Sequence, residues 1–207
     1  MVKLKVCGIT NYEDACAAIE AGAEFLGFNF YAPSPRYIAP EAARAIIEKL
    51  PPEIINVGVF VNEARPELVH QKMMVSGTTV AQLHGDEDEL YCRMVGAARV
   101  IKVLRIGRKF DLESLTGFPA LAFLIDAFDT KLFGGTGKTS NWEIACDIAK
   151  EVNVFLAGGL TPENIGDAIR AVRPFAVDVN SGVETYPGRK DKEKLQALQL
   201  AVGAVSD

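Results

Sequence analysis

Two residues in this chain combine reactive chemistry with a place at the end of a short apolar run. Cys7 closes KLKVC, and Asp126 closes ALAFLID. A thiolate can act as a base or a nucleophile, and a carboxyl whose pKa is raised by its surroundings can act as a general acid. Each also has a plainer reading, in which Cys7 is a small buried hydrophobe and Asp126 a helix cap or hydrogen-bond anchor. For Cys16, Cys92 and Cys146, which fall on predicted helices, the plain reading is the better one. His84, in QLHG, is one of two histidines and is either a ligand contact or a satisfied core side chain. His70 falls in a predicted helix and is expected at the surface.

Glycines supply a second kind of chemistry. FGGTGKTS, residues 133–140, resembles the phosphate loop of nucleotide hydrolases, but Leu132 stands where that loop needs its first glycine. The preceding apolar run ends at Ile125, too far upstream for a strand that leads straight into such a loop. Gly158 and Gly159 close one apolar run, and Ser181 and Gly182 follow the next. Glycine pairs let an anion approach backbone amides closely, so these two positions together suggest a phosphorylated small-molecule ligand.

The elements that would carry these groups form a regular series. Apolar, β-rich runs begin at Lys3, Glu24, Ile55, Thr79, Arg99, Ala120, Val154 and Phe175, most of them followed by an amphipathic stretch. Ala39-Pro40-Glu41, Arg65-Pro66-Glu67 and Thr161-Pro162-Glu163 each put a proline and an acid where a first helical turn is expected. Ser140 and Glu143 fit a capping box. The fifth unit, with DLESLTGF, has room for only a short helix. Eight such units in 207 residues, with no linker, predict an α/β fold consisting of a single (β/α)8 barrel domain over residues 1–207. An open doubly wound sheet is the alternative.

Side-chain phase favours the barrel. Val2, Leu4, Val6, Leu26, Phe28, Phe30, Ile101, Val103, Phe123, Ile125, Val177 and Val179 form one apolar set, suited to packing under helices. The opposite set holds Lys5, Cys7, Gln82, His84, Lys102, Asp126 and Asp178. A sheet covered on both faces should be apolar on both, whereas a barrel has one interior whose C-terminal end serves catalysis. On this phase Lys5, Lys102 and Asp178 are read as a buried ion network inside the barrel rather than as direct catalysts.

Composition narrows the function classes. With 49% hydrophobic and 24% charged residues the chain is an ordinary globular sequence, and its net charge of −5 offers no attraction for nucleic acid or an anionic membrane. Neither partner is expected. Four scattered cysteines and two histidines make no zinc-ligand spacing and point to free thiols in a reducing compartment, so a cytoplasmic location is expected. Nothing in the sequence sets the number of subunits.

KVCGIT, GFNFYAPSPRYI, GVFVN, QLHG, LID, GGTGKTSNW, LAGGLTPENI and AVDVNSGVE, in this order, resemble the phosphoribosylanthranilate isomerases of tryptophan biosynthesis over nearly the whole chain. The resemblance implies an Amadori rearrangement of N-(5-phosphoribosyl)anthranilate to 1-(2-carboxyphenylamino)-1-deoxyribulose 5-phosphate. It implies Cys7 as general base, Asp126 as general acid, and Arg36 as partner of the anthranilate carboxylate. Gln82, His84 and Asp178 would contact substrate. Phosphate would lie on the amides of Gly158, Gly159, Ser181 and Gly182. Gly134, Gly135 and Gly137 would give the loop after the sixth strand the freedom to close over substrate. No metal or organic cofactor is implied, because a protonated imine acidifies the C2 proton. Other phosphate-binding barrels of the same pathway, such as indoleglycerol-phosphate synthase or the tryptophan synthase α subunit, are expected to rely on carboxylates or lysines. A thiol base on the first strand separates this chain from them. A nucleotide switch, or a barrel that binds a sugar phosphate without turning it over, are the readings from other classes.

Overall fold

The structure is a computed structural model that describes residues 2–104, 111–126 and 139–205, with the backbone alone at 139–141. Eight parallel strands close on themselves in chain order: β1 (Lys3–Cys7), β2 (Phe25–Asn29), β3 (Ile55–Phe60), β4 (Val80–Leu83), β5 (Val100–Leu104), β6 (Ala122–Asp126), β7 (Val154–Ala157) and β8 (Ala176–Val179). The closing pair sets Lys5 opposite Asp178. Around the barrel, among the described residues, lie seven helices: α1 (Tyr12–Glu20), α2 (Pro40–Ile47), α3 (Pro66–Ser76), α4 (Glu89–Val95), α5 (Thr139–Glu151), α6 (Ile165–Val172) and α7 (Lys192–Gly203). A one-turn 3-10 segment, Leu112–Leu115, stands between β5 and β6, in line with the short fifth helix expected there. A small hairpin, β9 (Glu184–Tyr186) and β10 (Arg189–Lys190), precedes α7.

Two apolar layers hold this arrangement. Leu4, Val6, Leu26, Phe28, Phe123, Ile125 and Val177 face outward into the shell between strands and helices, together with buried helix residues such as Ala15, Val69, Ile148 and Ile169. Phe25, Val57, Val80, Leu124, Phe155 and Ala176 fill the barrel interior, where Phe25 and Phe155 meet edge to face at 5.2 Å. Plugging the lower interior with aromatic and branched side chains leaves only the C-terminal end open to a ligand.

Three expectations need correction. Ile101 and Val103 belong to the interior layer, so Lys102 points outward from β5 and away from the lumen. Its ammonium donates to Gly85 O (2.7 Å) and Glu87 Oε2 (2.8 Å) beneath the loop after β4. The run Val100-Ile101-Lys102-Val103 is apolar on both sides of the lysine, and a buried outward pocket lined by a carbonyl and a carboxylate satisfies the charge as well as a polar lumen would. At Thr161-Pro162-Glu163 the helix does not begin at the proline but at Ile165. Asn164 Oδ1 accepts from Thr161 N, and its Nδ2 donates to Gly159 O, which spends these residues on a turn. Ser140 lies inside α5, which begins at Thr139, so it is not the cap. Pro40 and Pro66 do stand in first turns, and Asn11, Asp88 and Asp191 cap α1, α4 and α7 through their side chains. No helix among the described residues is long and apolar enough to cross a membrane.

Candidate active site

At the C-terminal end of the barrel is a cavity of about 220 Å³. Cys7, Gln82, His84, Asp126 and Asp178 line it, and one wall is formed by Gly158, Gly159, Ser181 and Gly182. Every site residue expected from sequence within the described part of the chain lines this cavity, except Arg36. Gly134, Gly135 and Gly137 lie outside the described residues.

Cys7 is the last residue of β1 and points into the lumen opposite Gly27 of β2. A Cβ on Gly27 would come within 2.6 Å of Cys7 Sγ, so this glycine makes room for the thiol. The next residue, Gly8, turns the chain with φ +77°. Cys7 is 7% exposed. Burial is the main influence on the thiol and raises its pKa, the Lys5 charge works against that, and Asp178 adds to it. Asp126 ends β6 at the cavity mouth and, unlike Cys7, is exposed among the described residues.

The floor and sides carry acceptors. Gln82 Nε2 donates to His84 Nδ1 (3.1 Å), while Gln82 Oε1 and Asp178 Oδ1 have no hydrogen-bond partner among the described residues. A buried acceptor without a donor is costly, and both residues line the cavity, which suits them to hydroxyl or amine donors on a ligand. Burial lowers the pKa of His84, against a smaller opposing effect of Asp178, which favours the neutral imidazole.

The glycine wall is built for close approach to backbone. Gly158 and Gly159 have φ of +95° and +57°, values that suit glycine. After β8 the chain makes a single 3-10 turn, Ser181–Val183. Gly182 is packed so tightly on the loop after β7 that a Cβ would meet Leu160 O at 1.9 Å.

Arg36 lies beside the cavity with its side chain over Gly8, where an added Cβ would meet Arg36 Cδ at 2.8 Å. It is already engaged: Nε donates to Glu184 Oε1 (2.9 Å) and Oε2 (3.1 Å), and Nη2 to Oε2 (2.6 Å). Glu184 Oε1 also accepts from Lys190 Nζ (2.9 Å), whose side chain is fully buried and donates to Asn180 Oδ1 (3.1 Å) as well. Burial opposes the Glu184 charge, but Arg36 and Lys190 prevail and hold its pKa below the usual carboxylate value. Asn29 and Asn180, which also line the cavity, and the pair Glu184 and Lys190 escaped the sequence reading. Asn180 and Glu184 stand within AVDVNSGVE, so the motif was visible, but a partnership across 148 residues was not.

Comparison with known proteins agrees with this geometry. The family profile of N-(5'phosphoribosyl)anthranilate (PRA) isomerase matches residues 4–199. The N-(5'-phosphoribosyl)anthranilate isomerase of Trichlorobacter lovleyi is 50% identical over 197 residues, covering 95% of each chain. That of Syntrophus aciditrophicus is 48% identical over 98% of this chain and 87% of its own. The crystal structure of phosphoribosyl anthranilate isomerase from Thermotoga maritima superposes with a TM-score of 0.87 at 42% identity, over 99% of this chain and 100% of that one. A phosphoribosyl anthranilate isomerase solved with reduced 1-(o-carboxyphenylamino)-1-deoxyribulose 5-phosphate gives a TM-score of 0.85 at 40% identity, with 99% and 100% covered. With a thiol and a carboxyl closing β1 and β6 over one cavity, and a match that runs almost from end to end, this chain belongs to the N-(5'-phosphoribosyl)anthranilate isomerase family.

Proposed function

We infer that this cavity performs the Amadori rearrangement of N-(5-phosphoribosyl)anthranilate to 1-(2-carboxyphenylamino)-1-deoxyribulose 5-phosphate, with Asp126 as general acid and Cys7 as general base. The observation that carries the assignment is that these two groups close two strands over the same cavity, beside a wall of glycine amides. The relative solved with the reduced product analogue indicates the class of ligand such a cavity takes.

The chemistry needs one proton given and one removed. Asp126 protonates the ribose ring oxygen, the C1 to oxygen bond breaks, and the ring opens to a Schiff base. The protonated imine acidifies C2, and the Cys7 thiolate takes the C2 proton to leave an enolamine, which becomes the ketone as C1 gains a proton and the C2 hydroxyl loses one. The two carbons exchange oxidation levels, so no outside oxidant or reductant enters.

The phosphate is held on the amides of Gly158, Gly159, Ser181 and Gly182 in a protein whose net charge is −5, so binding relies on local dipoles rather than the global field. Arg36, kept in place by Glu184, meets the anthranilate carboxylate, and Gln82 and Asp178 accept from the sugar hydroxyls. Burial raises the thiol's pKa, so the reactive thiolate is a minority species near neutrality. We place this reaction in one domain in the cytoplasm, where the free thiols of Cys7, Cys16, Cys92 and Cys146 would persist.

The test is steady-state turnover followed by loss of substrate fluorescence. Cys7→Ala and Asp126→Asn should each lower kcat at least ~100-fold while product binding and fold are kept. Near wild-type kcat in either folded variant would remove that residue from the chemistry.

A further inference from the structure

Lys5 is among the largest fully buried side chains of the described structure, with 0% exposure, in a barrel interior plugged mainly with apolar groups. It lies two residues before Cys7 on the same inward face of β1. Its ammonium donates to Asp178 Oδ2 at 2.8 Å, and the register of β1 against β8 places the two residues side by side. Asp178 lines the cavity, and its Oδ1 has no hydrogen-bond partner among the described residues, so Lys5 holds this carboxylate through the other oxygen. Lys5 itself is not among the residues lining the cavity, so whatever it does in the reaction it does through its neighbours.

We propose that Lys5 is the positioning residue for the base: its ammonium, fixed from below by Asp178, is the buried counter-ion that receives the Cys7 thiolate. The proposal rests on the reading of Cys7 as the general base and deepens it. A thiolate formed in the cavity next to Asp178 alone would be an anion beside an anion. With Lys5 between them, the ammonium is shared by two anions while Cys7 is ionised. When Cys7 takes the C2 proton, the ammonium is left with Asp178 alone, and the pair stays neutral.

The charges around Cys7 come from several elements. Lys5 lies on its own strand, Asp178 on β8, Lys190 on β10 and Arg36 after β2, while Asp126 and His84 stand at the ends of β6 and β4 on the same cavity. Among these the influence of Lys5 on the thiol is the largest after burial, ahead of the opposing Asp178 and of Lys190. Burial is the largest single influence on Lys5 and disfavours its charged form, but Asp178 and Cys7 together outweigh it and raise its pKa, so the ammonium persists wherever the enzyme works. A lysine in this state is a poor proton acceptor and a steady positive charge.

Alkylation of Cys7 by iodoacetamide, followed across pH by mass mapping of its peptide, reports thiolate formation without turnover. Lys5→Met is compared with wild type, and Lys5→Met combined with Asp178→Asn covers the case in which a lone buried carboxylate prevents folding. Lys5→Met should shift the alkylation midpoint at least about 1 pH unit higher, and the double variant should shift it in the same direction by less, because the lost cation outweighs the lost anion. In Lys5→Met the acid limb of kcat/KM should follow. Loosened packing would do the opposite, since water reaching Cys7 relieves the burial that raises its pKa. A midpoint unmoved or lowered in the folded variants overturns the proposal. Failure of the base reading would show instead as retained turnover in Cys7→Ala.

Discussion

Gly182→Ala is the sharpest test of the phosphate wall, because the space it fills is occupied by backbone. The added Cβ would lie 1.9 Å from Leu160 O, 2.9 Å from Leu160 C and 3.1 Å from Thr161 Cγ2. Cβ atoms essentially never come closer than 3.0 Å, so the two loops must part by at least 1.1 Å, the difference between 3.0 and 1.9. Leu160 is 3% exposed and its loop is tied down by both amide atoms of Asn164, so the turn Ser181–Val183 is the part that moves. An amide at about 2.9 Å from a phosphate oxygen, displaced by that amount, no longer makes a hydrogen bond. Bonds to charged groups contribute about 1.5 to 3 kcal/mol each, so the loss of one weakens substrate roughly 10- to 150-fold. The phosphate is remote from C1 and C2, so its contacts are the same in ground and transition states, and the loss falls on KM with kcat nearly kept. Fluorescence turnover gives both constants, and competitive inhibition by inorganic phosphate should weaken in parallel. A KM and a phosphate inhibition constant both within twofold of wild type would refute the placement of phosphate on this wall.

Two further variants separate structural from chemical roles. Glu184→Gln removes the fork that holds Arg36 and leaves the buried Lys190 ammonium without its carboxylate, which should cost about 3 to 5 kcal/mol in urea unfolding at pH 7 and raise KM. The folded pKa of Glu184 lies below its ordinary value of 4.5, so its contribution is fully present above that pH and is lost as pH falls through the lower folded value. The difference between wild type and Glu184→Gln should therefore be flat above about pH 5.5 and shrink below pH 4.5; equal stability at pH 7 would sink the argument. Lys102→Met should lower stability by a similar amount, since Glu87 is left buried, yet kcat/KM of the folded variant should change little because Lys102 faces away from the lumen. A stable Lys102→Met that has lost turnover would return this residue to the site.

The proposed acid and base were legible in the sequence because strand ends are legible: KLKVC and AFLID are short β-rich runs, closed by a thiol and a carboxyl. The closed barrel was legible for a related reason. Polar residues gathered on one face of β1, β4, β6 and β8 need a shared interior, and the structure brings Cys7, Gln82, His84, Asp126 and Asp178 onto one cavity. The same rule failed on β5. A run with apolar residues on both sides of its lysine has no phase of its own, and the phase is decided by whether the lysine finds acceptors inside or outside. The outer acceptors, Gly85 O and Glu87 Oε2, belong to another unit of the chain, and nothing local to β5 announces them.

Arg36 shows the remaining limit and why it matters for function. The family resemblance assigns the guanidinium after strand 2 to the anthranilate carboxylate, a group that Arg recognises bidentately. In the folded chain that preference is already met by Glu184, contributed from 148 residues away through the turn that follows β8. The two assignments are compatible because a guanidinium has five donors in one plane, and the bonds to Glu184 use Nε and Nη2. Fixing that edge sets the plane of the group before substrate arrives, so less side-chain freedom is lost on binding. It would also tie the proposed anthranilate end of the cavity to the proposed phosphate end, because Glu184 directly follows the turn that carries Ser181 and Gly182. A displacement of that turn, as in Gly182→Ala, should therefore be felt at both ends of the substrate.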